Sequence, residues 1–118
     1  MISIPALLML FWVHTIADFP LQSDTMAKNK SSSNAWLFIH VAIYASCFWP
    51  FIFALGVWRT WGFITITFIA HFATDYVTSR MTTKYWKAER RHAFFVTIGV
   101  DQALHLSALV LTYWALSR

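Results

Sequence analysis

The sequence predicts an all-α fold: four transmembrane helices packed as one bundle, a single domain over residues 1–118. Three observations lead there. Fifty-eight percent of the residues are hydrophobic and only 12% are charged, against about 25% charged in ordinary soluble domains, and the mean hydropathy is +0.54. The apolar residues fall into four runs of about the 20 residues that a spanning helix needs, separated by short polar gaps that leave no room for a soluble domain. Within those runs an aspartate and a histidine stand four positions apart three times: His14 with Asp18, His71 with Asp75, and Asp101 with His105. Residues i and i+4 share one helix face. Five histidines and five acidic residues scattered at random would give roughly 0.4 such pairs, and hydrocarbon disfavours both residue types.

The first span covers about residues 2–21, with Pro5 in the first turn, where a missing N–H does little harm. It ends near Asp18-Phe19-Pro20. No lysine or arginine precedes Lys28, and Pro20 and Gln22 make a poor cleavage site, so this span is expected to be retained rather than removed as a signal peptide. The polar segment from Gln22 to Asn34 reads as a surface connection, with Asn34 or a preceding serine as the next N-cap. A second span covers about residues 35–57, and Pro50 inside it predicts a kink. A turn from Gly56 to Gly62 carries one charge, Arg59. The third span, about residues 61–79, leads into a basic loop with Arg80, Lys84, Lys87, Glu89, Arg90, Arg91 and His92. The fourth span covers about residues 93–116. Cys47 is the one cysteine, which excludes an internal disulfide and a cysteine-based metal site.

Seven lysines and arginines fall in the first and third connections against two, Arg59 and Arg118, on the other side. The positive-inside tendency then puts both basic connections in the cytoplasm and both termini outside. Trp36 and Trp86 near the basic side, and Trp49, Trp58, Trp61 and Trp114 near the other, read as interfacial belts. The charge is accounted for by membrane orientation, and no nucleic-acid partner is expected.

At 1.5 Å per residue His14, His40, His71 and Asp101 all lie about 8–12 Å from the basic ends of their spans. Four histidines and three aspartates therefore reach one depth, as ligands do in bundle proteins that draw a metal site from facing helices. Imidazole and carboxylate suit zinc first, and also iron or manganese. Two blander readings stand beside this one: a metal-free polar or proton-conducting network, and structural glue between helices. Taken alone, His40 reads as a satisfied core histidine and gains weight from its depth. Gln22 and Gln102 are candidates to orient ligands. The basic loop reads first as a topology determinant and second as a clamp for a lipid phosphate or another anionic substrate.

The motifs His14-x-x-x-Asp18-Phe19-x-Leu21-Gln22, Met26-Ala27-x-x-Lys30, His40, His71-Phe72-x-x-Asp75-Tyr76 and Gly99-x-Asp101-Gln102-x-x-His105 together resemble the family catalogued as domain of unknown function 3307, in the same order over nearly the whole chain. That resemblance implies a small bacterial or phage inner-membrane protein with several spans and no established reaction. In residue types and setting the chain is also similar, more distantly, to membrane-bound metal-dependent hydrolases with intramembrane histidines and aspartates.

The leading expectation is a hydrolase of a lipid or membrane-associated ester or phosphoester, with a divalent transition metal, zinc first, in the cytoplasmic half of the bilayer. His14, Asp18, His71, Asp75 and His105 are the expected ligands. Asp101 is expected as ligand or general base, and His40 as ligand or transition-state donor. Gln22, Lys30, Arg80 and Gln102 are expected to orient ligands or meet a head group. A conduit for metal ions or protons, and a small phage effector that binds a host membrane protein, are the alternatives; a homodimer is compatible with all three. The charge asymmetry makes one outcome testable: a reporter active only in the cytoplasm, fused after Arg118, gives no signal, and strong activity there overturns the orientation.

Overall fold

A computed structural model describes all 118 residues as helices joined by tight turns, with no strand. They are α1 (Ile4–Asp18), the short α2 (Asp24–Asn29), α3 (Asn34–Ser46), the single-turn α4 (Ile52–Leu55), α5 (Val57–Lys87) and α6 (Arg91–Leu116). Serine side chains start the first three. Ser3, Ser23 and Ser33 each accept from the backbone N–H three residues on, at Ala6, Met26 and Trp36, satisfying donors that a helix start leaves free. α1 stops at Asp18, and Pro20 follows where it cannot continue the helix.

The break predicted at Pro50 is larger than a kink. α3 ends at Ser46, and the chain crosses a 3₁₀ turn at Trp49–Phe51 before α4, because proline supplies no N–H to an intrahelical bond. The turn expected from Gly56 to Gly62 contracts to Gly56 alone, at φ 78° and ψ 169°, a region essentially reserved for glycine. The third helix runs eight residues beyond the expected end at Ser79, so Arg80, Lys84 and Lys87 lie on α5 and not in a loop. What remains of the basic loop is Ala88 to Arg90, closed by the Arg90 N–H donating to the Tyr85 carbonyl. Arg91 also donates to the Trp86 carbonyl at 2.6 Å while its guanidinium lies 3.7 Å over the Trp86 ring. A cation there satisfies carbonyls that the helix end leaves exposed.

α5 and α6 form a long antiparallel hairpin; α3 packs on α5, α1 on α6 and α3, and α2 against α3. The interior has two layers. Toward Gly56 lies an apolar layer with Leu10, Phe48, Phe51, Leu55, Phe63, Leu109 and Tyr113, including the edge-on ring pairs Phe48–Phe63 and Phe51–Tyr113. Toward the basic end the interior turns polar, with His14, Asp18, His40, His71, Asp75, Thr78, Ser79, Thr97 and His105 buried. Threonine hydroxyls inside the helices donate to the carbonyl four residues back, as at Thr60 and Thr97. Large apolar side chains face outward instead, among them Trp12, Phe53, Trp58, Ile69, Phe95 and Leu111. Two helical stretches, Asn34–Leu55 and Arg91–Leu116, are long and apolar enough to cross a membrane.

The two isolated glycines separate backbone from packing. A Cβ at Gly56 or Gly99 meets nothing within 4 Å, so only conformation differs between them. Gly56→Ala is expected to destabilise by about 1–3 kcal/mol, and Gly99→Ala, in mid-helix, to stabilise by about 0.5–1 kcal/mol. Equilibrium unfolding of the two variants checks the opposite signs.

Candidate metal centre

Helical periodicity brings the ionisable residues to one face of each helix, and the packing of four helices brings those faces together. α1 contributes His14 and Asp18, α3 His40 and Tyr44, α5 His71, Asp75 and Thr78, and α6 Asp101, Gln102 and His105. Lys30, just after α2, reaches in from the basic end.

Four side chains on three helices, Asp18, His40, His71 and Asp75, converge on one point. His40 Nε2 lies 3.2 Å from Asp18 Oδ1, 3.3 Å from Asp75 Oδ2 and 3.2 Å from His71 Nε2. His71 Nε2 lies 3.5 Å from Asp18 Oδ1 and 3.4 Å from Asp75 Oδ2. A tetrahedral ion with bonds of about 2.0–2.1 Å has donor–donor edges of about 3.3–3.4 Å, so these five edges fit such an ion. Hydrogen bonding alone leaves the group unsatisfied. Two imidazole nitrogens that face each other share at most one proton between them, so a single N–H faces carboxylate oxygens of both Asp18 and Asp75. A cation at the centre satisfies all four atoms.

Asp75 is the most heavily engaged group. Its Oδ2 also accepts from Lys30 Nζ at 2.9 Å, and its Oδ1 lies 3.1 Å from His105 Nε2. His105 Nε2 is equally 3.1 Å from Asp101 Oδ1, and Thr78 donates to that same oxygen at 2.5 Å. Gln102 ties two carboxylates together: its Nε2 donates to Asp18 Oδ2 and to Asp101 Oδ2, both at 3.1 Å. Its Oε1 then faces His14 Nε2 at 2.7 Å.

That last bond removes His14 from the expected ligand set. With Gln102 accepting at Nε2, His14 carries its proton there, and Nδ1 accepts from the Tyr44 hydroxyl at 2.7 Å. Both ring nitrogens are used by neutral partners, and His14 reaches Asp18 through Gln102. His40, expected as ligand or donor, stands in the four-donor group instead. His105 lies beside that group, with Asp101. Arg80 is turned outward: its guanidinium donates to the Tyr76 carbonyl and to Asn34 Oδ1 and lies 3.6 Å from the Tyr76 ring centre. Lys30, and not Arg80, reaches the site.

A cavity of about 170 Å³ adjoins the centre on the basic side, lined by Asp18, Asp75, Asp101, Lys30, Gln22 and Gln102, the hydroxyls of Thr78, Ser79 and Thr82, and Phe19, Phe94 and Ile98. Gln22 Oε1 and Ser79 Oγ are buried there without a partner. Sequence reasoning missed Tyr44, Thr78 and Ser79. Tyr44 follows His40 at the same i+4 spacing as the three pairs, which was the available signal; its ring packs 3.8 Å from His71, and His71 stacks 3.9 Å from His105.

The family model described as "Protein of unknown function (DUF3307)" matches residues 6–118, so the chain belongs to that family. No curated protein and no solved structure matches it.

The network makes Tyr44 a structural donor. Tyr44→Phe leaves the buried His14 Nδ1 without a partner and is expected to cost about 1–3 kcal/mol, read as a lower melting temperature. An unchanged melting temperature would mean that the Tyr44–His14 bond contributes nothing.

Proposed function

We propose that this DUF3307 protein is a small membrane-embedded hydrolase, with Asp18, His40, His71 and Asp75 holding a divalent transition metal, zinc first. The substrate is an ester or phosphoester of a lipid or other membrane-associated molecule. The observation that carries the reading is a set of four buried donors, five of whose separations are 3.2–3.5 Å, opening on a polar cavity through two of its own carboxylates.

Support for the membrane setting comes from the large apolar side chains on the outer faces and from the two apolar helical stretches of spanning length. In this reading α1, α3 with α4, α5 and α6 form a four-helix bundle in a bacterial inner membrane. The basic end faces the cytoplasm and both termini lie outside. The bound ion would act as a Lewis acid and lower the pKa of a bound water to about 7. The cavity beside Asp18 and Asp75 is where water or a substrate oxygen would arrive.

The chain's own groups supply the rest. Asp101 lines the cavity and is oriented by Thr78 and Gln102, so its carboxylate is available to take a proton from the attacking water. Lys30 lines the same cavity and presents a positive charge to an anionic head group. Hydrolysis is favoured over conduction by the apolar layer: Phe48, Phe51, Phe63 and Tyr113 are buried between the polar centre and the Gly56 end, where a conduit would need polar groups.

Elemental analysis of detergent-purified protein tests the metal. Bound transition metal and a melting temperature lowered by chelator are expected, since an ion bound only by the folded state stabilises it. Asp75→Asn, which keeps size but removes the anionic ligand, is expected to lose most of that metal, and His71→Gln likewise. Protein that is metal-free, cannot be reloaded, and melts identically with and without chelator overturns the proposal. For the reaction, Asp101→Asn is expected to lower turnover of a fluorogenic lipid phosphodiester or ester by about 10²–10⁴-fold.

A further inference from the structure

We propose that the centre takes a second divalent cation, held by His105 Nε2, Asp101 Oδ1 and Asp75 Oδ1, with Asp75 and Asp18 shared between the two ions and Asp101 serving as a ligand in place of the general-base role given it above. This rests on the first ion proposed above and makes the site a carboxylate-bridged pair.

The geometry at His105 carries the inference. One ring nitrogen lies 3.1 Å from carboxylate oxygens of two different helices, Asp75 Oδ1 and Asp101 Oδ1. A single N–H points well at only one of them, whereas one cation binds all three atoms. Nitrogen and oxygen donors around an ion with bonds of about 2.1 Å stand about 3.0–3.4 Å apart in six- or four-coordinate geometry. Asp75 also divides its two oxygens. Oδ2 faces His40, His71 and Lys30, and Oδ1 faces His105, the arrangement a carboxylate takes when it bridges two ions.

Asp18 joins the two groups. It offers an oxygen within 4.8 Å of the donor atoms of Asp101 and His105 while also belonging to the four-donor group. The Gln102 amide holds Oδ2 of both Asp18 and Asp101 and thereby turns Oδ1 of each inward. Such outer hydrogen bonds orient ligands at metal sites.

Charge then narrows the substrate. One divalent ion and Lys30 balance the three carboxylates, so a second ion leaves the centre with a surplus of two positive charges. A hydroxide and an anionic phosphoester oxygen neutralise that surplus, and a neutral carboxylic ester does not. Paired ions that stabilise both the attacking and the leaving oxygen are a known solution for phosphoester displacement.

Metal-free protein titrated with Mn(II), freed of excess ion by gel filtration and analysed for metal, decides the matter. The wild type is expected to retain two ions per chain with the exchange-coupled electron paramagnetic resonance of a manganese pair. His105→Gln and Asp101→Asn are each expected to retain one ion with an uncoupled signal, and circular dichroism reports whether each variant is folded. One uncoupled ion in the wild type, unchanged in either folded variant, overturns the second site and leaves the first standing. A wild type that binds no ion overturns the metal reading itself. The wild-type count and spectrum decide even if both variants unfold.

Discussion

Burying a carboxylate is costly unless charge and hydrogen bonds answer it, and in this protein Asp75, 1% exposed, is answered from four directions. Lys30 comes from beyond α2, His40 from α3, His71 from one turn earlier on α5, and His105 from α6. Those contacts tie together elements far apart in sequence and fix how α5 and α6 are rotated against α3. Asp18 and Asp101 are drawn into the same network through Gln102, which brings α1 in as well. A shift of any helix by one residue would rotate its pair off the shared axis and leave a buried charge unanswered, so the polar centre specifies the packing as well as the chemistry.

The rest of the interior makes that centre selective about where it opens. The aromatic layer around Phe48, Phe51 and Phe63 closes one end with side chains that offer a metal or a proton nothing to bind. At the other end the cavity reaches the carboxylates between Phe19, Phe94 and Ile98. Apolar residues cover much of the outer faces, and the buried polar groups face one another in the interior. Chemistry at one end and dense apolar packing at the other follow from the same four helices, since each changes from apolar to polar along its inner face.

Several features were legible in the residues. The three His/Asp pairs, the end of α1 near Asp18-Phe19-Pro20, the serine cap before α3 and the break around Pro50 rest on local rules of spacing and backbone chemistry. The likeness to the DUF3307 family was legible too, because its motifs lie in order along the chain, and the family match confirms it. Less legible were boundaries that hydropathy marks poorly. Arg80, Lys84 and Lys87 look like a loop by charge, yet they lie on α5, since lysine and arginine are good helix formers and hydropathy reports burial rather than backbone.

What the sequence by itself determined is which residues share a face and at what depth, because 3.6 residues per turn and 1.5 Å per residue are properties of any helix. The rotation of one helix against the next is decided only by packing. That rotation turned His14 toward Tyr44 and Gln102 and brought His40, the buried histidine without an aspartate four residues away, into the four-donor group. It also carried His105 to Asp75 on a different helix in addition to its own partner, Asp101. Spacing along a chain can pair neighbours within a helix, but the partners that share a buried charge are chosen across helices, where only the tertiary structure sets the distances.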